Sequence, residues 1–214
     1  MTGAIETTDR AALCNSTSHL ILASGSRARA DMLRAAGLCF DVVKPAVDEE
    51  EIKHSLRSAK APGSAIAGTL AELKAQRVSS RHGASYVIGA DQVLECEGQS
   101  FDKPASRADA LDQLQRLRGR SHELISAAVV VKDGLKLWHH TDRAVLTLRP
   151  CSDEFLARYL DAMGDNILTT VGGYEIEGLG AQLFSAVRGD HFTILGLPLL
   201  PLLGFLRDTG VALT

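Results

Sequence analysis

No two cysteines of this chain stand close enough to form a C-x-x-C pair or a metal-binding spacing: Cys14, Cys39, Cys96 and Cys151 are scattered through 214 residues. That excludes a cysteine-based metal motif and reads as reduced thiols in a cytosolic protein. An unbroken apolar run is missing too. The longest, residues 192–206, is interrupted by Gly196, Pro198, Pro201 and Gly204, whereas a spanning helix needs about 20 mostly apolar residues. It reads instead as a buried strand over 192–195 followed by a closing helix over 199–207. The first residues carry Glu6 and Asp9 and lack the apolar core of a signal peptide. Excess charge of one sign is absent as well. A net charge of −3 argues against a nucleic-acid polymer or an anionic membrane as the main partner, while local basic residues can still hold a small polyanion. There is no G-x-x-x-x-G-K-S/T loop, no internal repeat and no low-complexity linker.

What is present is enough apolar sequence, 45% of the chain, to bury a full core. A loosely ordered tail over residues 1–18 is expected to precede a single domain over 19–210. Leu20-Ile21-Leu22-Ala23 reads as a strand that meets Ser24-Gly25-Ser26. A helix over 27–36 follows, with a serine N-cap and Gly37 just past its end. Such a junction turns backbone N–H groups and a positive helix end outward, which makes an anion site. Arg27 and Arg29 sit in that first turn, against the local dipole. They are either a solvated pair or cations that a bound anion offsets.

A short strand is expected over 40–43, then an acidic run, Asp48-Glu49-Glu50-Glu51, at a helix start. Those carboxylates complement the helix dipole, or one of them is a ligand for a hard cation. A second strong helix is predicted over 64–81. Tyr86-Val87-Ile88 reads as a short strand that turns polar at Gly89-Ala90-Asp91-Gln92, and Glu97-Gly98 as a turn leading to Lys103-Pro104. Taken locally, Asp91 is a strand-end carboxylate that caps the next turn, or a reactive group at the carboxyl end of a strand, where open α/β sheets bind ligands. Ser106 caps a helix over 106–118. Asp133-Gly134 joins strands over 122–131 and 135–148 into a hairpin, and Ser152 starts a helix to Met163. His139-His140 has no further ligand at metal spacing and reads as structural or exposed. The pattern is α/β, a mixed twisted sheet with flanking helices, with a helical and a β-rich lobe around a central cleft.

Several stretches, taken in order, resemble the Maf family of nucleoside triphosphate pyrophosphatases. Ser24-Gly25-Ser26-Arg27-Ala28-Arg29 is similar to that family's S-x-S-P-R-R loop, and Asp48-Glu49 to its acidic pair. Leu70-Ala71-Glu72-Leu73-Lys74-Ala75 resembles its L-A-x-x-K-A helix, and Gly89-Ala90-Asp91-Gln92 its G-A-D-T/Q strand end. Lys103-Pro104, Gly119-Arg120-Ser121-His122, Gly172-Gly173-Tyr174 through Gly178, Gly189-Asp190 and Gly196-Leu197-Pro198-Leu199 continue the resemblance to about residue 206. The chain departs from the pattern at Arg27 (Pro in the family), Ala28 (Arg), Thr170 (Lys) and Ser126-Ala127-Ala128 (T-G-V).

The resemblance implies a Maf/ITPase-like fold, a cytoplasmic homodimer and a divalent cation, Mg²⁺ or Mn²⁺. It implies hydrolysis of a nucleoside triphosphate to a monophosphate and pyrophosphate, a house-cleaning of non-standard nucleotides. It makes Asp91 the catalytic carboxylate, with Glu49 and Asp91 as metal ligands and Ser24, Ser26, Arg29, Lys74 and Lys103 around the phosphates. Attack of water at an α-phosphorus needs a base or metal on one side and cations on the leaving side, which suits those residue types. Ala28, Gln92 and Glu177 fall on the family's base-selecting positions. The last two match the branch acting on 7-methyl-GTP, and a carboxylate at Glu177 can accept two hydrogen bonds from guanine. Ala28 lacks the aromatic platform of that branch, so a guanine-type or modified purine triphosphate is expected. The alternatives are a dTTP/UTP pyrophosphatase, a phosphate-monoester hydrolase, and a nucleotide-binding regulator of septum formation without turnover.

Overall fold

The computed structural model describes residues 18–213. The expected N-terminal tail, all but its last residue, and Cys14 lie outside them. Within them the chain forms an α/β fold around one seven-stranded mixed sheet. The strands are β1 (Leu20–Ala23), β2 (Asp41–Val42), β3 (Tyr86–Cys96), β4 (Gln99–Phe101), β5 (Ser121–Lys132), β6 (Leu135–Leu148) and β7 (Phe184–Arg188). Their order is β2-β1-β3-β5-β6-β7, with β4 also on β3. Among the described residues no helix is long and apolar enough to cross a membrane.

The helices follow local signals. In α1 (Arg27–Ala35) the Ser26 side chain accepts from the Arg29 backbone N–H, and Gly37 takes φ 78° beyond the last turn. Asp48 caps α2 (Glu49–Ser58) by accepting from the Glu51 N–H, so the acidic run does open a helix. α3 (Gly63–Ser79), α4 (Arg107–Leu117), α5 (Asp153–Met163) and α7 (Leu199–Asp208) match the predicted helices to within about two residues. Hydrophobic burial is divided among three clusters. Ile66, Leu70, Ala71, Ala75 and Val78 of α3 cover one face of the sheet against Val87, Val93, Ala127 and Val129.

Two expectations fail. β3 does not stop at Gly89: it continues through Asp91 and Gln92 to Cys96, because nine consecutive residues pair antiparallel with β5. That tertiary pairing outweighs the turn-forming tendency of Gly and Asp. Residues 192–195 are not a strand. They lie in and just after α6 (His191–Ile194), whose N-cap Asp190 accepts from the Thr193 N–H.

The extension of β3 creates a gap. On its edge away from β5, β1 pairs with β3 only as far as Gly89, and β4 begins to pair at Leu94. Residues 90–93 therefore have no strand beside them on that edge, and the charged residues gather there.

Candidate active site

The gap is walled by α3. A Cβ on Gly89 would stand 2.0 Å from the Ala71 carbonyl and 2.8 Å from the Ala75 nitrogen. Only glycine permits that approach, and Ala71 and Ala75 keep the facing helix surface small. The contact brings Lys74, between those alanines, onto β3: its ammonium donates to Asp91 Oδ1 at 2.6 Å. Both side chains are under a tenth exposed. The same ammonium meets Glu49 Oε1 from α2 at 2.9 Å. One lysine thus joins two carboxylates carried by separate elements. The other oxygen of Asp91, Oδ2, is buried without a partner, a costly state for an acceptor in a protein interior.

Arg29 fills the open edge of β3. Its Nη1 donates to the Ala90 carbonyl at 2.9 Å and to Ser24 Oγ at 3.3 Å, and its Nε to the Gly196 carbonyl at 2.7 Å. Gly196 supplies that carbonyl from φ 99°, in the left-handed region that favours glycine. Burial lowers the Arg29 pKa from its ordinary value, and the charges of Asp91 and Glu49 offset part of this. Ser24 Oγ also accepts from the Ser26 N–H, so both serines brace the loop. Lys103 sits at the rim, with its pKa lowered first by burial and then by Arg29, Lys74 and Lys53, while Glu49 pulls it upward. This is a cluster of cations centred on a buried acid; the expected pair of lobes around a central cleft is not evident in the fold.

Gln92 points to the opposite face of β3 from Asp91. Its Nε2 is 3.0 Å from Ser126 Oγ, 3.1 Å from the Thr193 carbonyl and 3.0 Å from the Ile194 carbonyl. Ser126 spends its own proton on the Thr193 carbonyl at 2.8 Å, so towards Gln92 it can only accept. Three acceptors fix the amide orientation and leave Oε1 on the side of Gly196 and Arg29. Glu177 is exposed, with His191 Nε2 at 3.3 Å from Oε1. It is tied to the Gln92 network through α6, which begins at His191. Ala28 is exposed on α1.

The structure therefore gathers Ser24, Arg29, Glu49, Lys74, Asp91 and Lys103 at one gap, sets Gln92 beside it, and leaves Ala28 and Glu177 on the surface. Sequence reasoning missed Lys53, Arg57 and Asp102, which pair across 45 or more residues. Their only local signal is the 49, 53, 57 spacing on α2, one residue per helical turn.

For a divalent cation, the donor set is two carboxylates, one with an unsatisfied buried oxygen. Among the described residues no group of three or more His, Cys, Asp or Glu is placed to hold a metal. Mg²⁺ is commonly held by one or two carboxylates with substrate phosphates and water completing the shell. The residues fit that arrangement.

Fold and site together define a class: a mixed-sheet α/β protein in which cations from α1, α3 and the β4–α4 loop surround a buried acid. The chain belongs to the Maf-like protein family, whose model matches residues 19–209. It is 55% identical to a nucleoside triphosphate pyrophosphatase of Paramagnetospirillum magneticum over 190 residues, covering 89% of this chain and 98% of that protein. A protein of the same description from Granulibacter bethesdensis is 48% identical over 88% of this chain and 96% of its own length. The 7-methyl-GTP pyrophosphatase of Rhizobium etli is 45% identical over 91% of this chain and 98% of its own.

Proposed function

We propose that the protein is a nucleoside triphosphate pyrophosphatase, a hydrolase acting on the α–β phosphoanhydride. The observation that carries this reading is the state of Asp91: one oxygen locked by Lys74, the other buried and unsatisfied, with Arg29 and Lys103 beside it. Water attacks the α-phosphorus, its proton passes to the Asp91 carboxylate, and the bond to the bridging oxygen breaks. That oxygen leaves with the electron pair as part of pyrophosphate. Arg29, Lys74 and Lys103 offset the charge that develops on the leaving side. Glu49 and Asp91 would hold Mg²⁺ or Mn²⁺, which supplies Lewis acidity at the phosphates when bound. Ser24 and Ser26 brace the α1 junction beside the phosphates. Action in the cytoplasm as a homodimer belongs to the same proposal.

The fixed amide of Gln92 supports a base with an N–H donor at its edge, and Glu177, linked to the first residue of α6 through His191, is a second acceptor. Two acceptors suit guanine, with its N1–H and exocyclic amine, better than uracil or thymine, which offer one. We assign a guanine-type or modified purine triphosphate as substrate. Incubation with Mg²⁺ and a nucleotide panel, followed by separate assays of pyrophosphate and orthophosphate, tests both parts. Pyrophosphate from guanine-type nucleotides is expected. Binding without release of either product would leave a regulator; orthophosphate alone would leave a monoester hydrolase.

A further inference from the structure

Glu49 reaches Lys74 from a helix that the core barely holds. α2 has no fully buried residue; only Ile52 and Leu56 pack, partly buried, against the α3 cluster. Yet a carboxylate that shares one ammonium with Asp91 must be positioned closely. One turn beyond Glu49 is Lys53, and one turn further Arg57, so all three share a face. Both cations converge on Asp102. Lys53 Nζ donates to Oδ1 at 2.9 Å, while Arg57 Nη1 and Nη2 donate to Oδ2 at 2.7 Å and Oδ1 at 2.9 Å.

This is not an ordinary surface ion pair. The Lys53 side chain is 15% exposed and those of Arg57 and Asp102 about a third. Arg57 engages its carboxylate through two nitrogens, the geometry that makes guanidinium–carboxylate contacts strong. Asp102 directly precedes Lys103, so the same carboxylate that fixes α2 also fixes the loop bearing the rim lysine. Burial opposes ionisation of Asp102, but hydrogen bonds from Arg57 and Lys53 outweigh it and hold the carboxyl below the usual range.

We propose that Asp102, Lys53 and Arg57 form a positioning clasp. It sets Glu49 of α2 and Lys103 of the β4–α4 loop at a fixed spacing about Asp91, and none of its members needs to touch substrate. The kinetic half of its test rests on the pyrophosphatase reading; the structural half does not.

The structural half is amide hydrogen exchange on the full chain without nucleotide. In Asp102→Asn, protection across residues 49–58 is expected to fall by about tenfold while residues 63–79 keep theirs, the signature of local opening. Unchanged protection in α2, or equal losses in α2 and α3, overturns the clasp. If Asp102→Asn fails to fold, Lys53→Gln, which removes one of the two cations, is expected to give the same pattern at smaller amplitude, and the same results overturn the idea. The kinetic half is a double-mutant cycle on pyrophosphate release with Glu49→Gln. Non-additive effects, with the double variant close to Glu49→Gln alone, are expected if the clasp acts through Glu49; full additivity overturns that route. A chain that releases no pyrophosphate but loses α2 protection as described keeps the clasp and drops the pyrophosphatase reading.

Discussion

The two helices that bring charge to Asp91 are built on opposite principles. α3 carries Lys74 as one of nine buried residues and presses against β3 so closely that Gly89 has no room for a methyl group. α2 carries Glu49 with no buried residue and is held by three ionic groups. Packing is short-ranged and is not screened by salt as charges are; ion pairs that remain partly exposed answer to salt and to the loss of one partner. One wall of the site is set by volume and the other by charge, and perturbations should sort them.

The largest effect is expected where the walls meet. Asp91→Asn should lower turnover by about a thousandfold, roughly 4 kcal/mol in the barrier, with nucleotide affinity nearly intact because Lys74, Arg29 and Lys103 remain. Single-turnover kinetics with a separate binding titration checks this, and normal turnover would remove Asp91 from its role. Next comes the packed wall. Gly89→Ala should destabilise the chain by about 3 kcal/mol through overpacking against the α3 backbone, read from urea unfolding. A shift below half a kilocalorie would mean that α3 can retreat, and the two walls would then not differ in kind.

Acid should act on packed regions and spare the clasp. His122, 1% exposed, has Nε2 2.6 Å from the Tyr174 hydroxyl and no partner at Nδ1. Burial lowers its pKa to about 4. A histidine that is harder to protonate in the folded chain binds fewer protons than in the unfolded one, so stability is lost as pH falls from the unfolded value near 6.5 towards 4. Between about pH 7.5 and pH 5 this single group should cost about 2 kcal/mol, and His122→Gln should flatten the slope. Asp102 runs the other way in range. Its depressed pKa contributes stability that is present above the unfolded carboxylate value and lost only as pH falls through the lower folded one, so the clasp should survive at pH 5. The smallest effect is salt. About 1 M NaCl should weaken α2 protection by roughly 0.5 kcal/mol and leave α3 unchanged in the same exchange experiment.

How much of this was legible depended on whether a feature is local. The caps at Ser26, Ser106 and Ser152, the Asp133-Gly134 hairpin and the apolar stripe of α3 are short-range signals, and the helices and the long hairpin follow from them. Gly89-Ala90-Asp91-Gln92 misled because two turn-favouring residue types sit in a strand whose identity comes from pairing with β5, more than 30 residues away. Residues 192–195 misled because four residues are too few to show a period; Asp190, three before Thr193, was the cap signal that separates helix from strand. Asp91, Lys74 and Glu49 came together in the sequence only through the family resemblance, and the structure joins them through one ammonium. The clasp left only the 49, 53, 57 spacing as a local signal, since Asp102 and its partners are separated by 45 residues or more.

The uninterrupted course of β3 has one more consequence. Side chains alternate along a strand, so Asp91 and Gln92, though neighbours in sequence, belong to different compartments: one to the charged crevice under α3, the other to the α6 side. If Gln92 reads the base and Asp91 reacts, as proposed, a substitution at 92 should alter what is read without disturbing what reacts, and the reverse should hold at 91. On that proposal the accepted molecule could change while the chemistry is kept, whereas inserting one residue between Gly89 and Asp91 would turn Asp91 and Gln92 to each other's faces of the strand and should lose both.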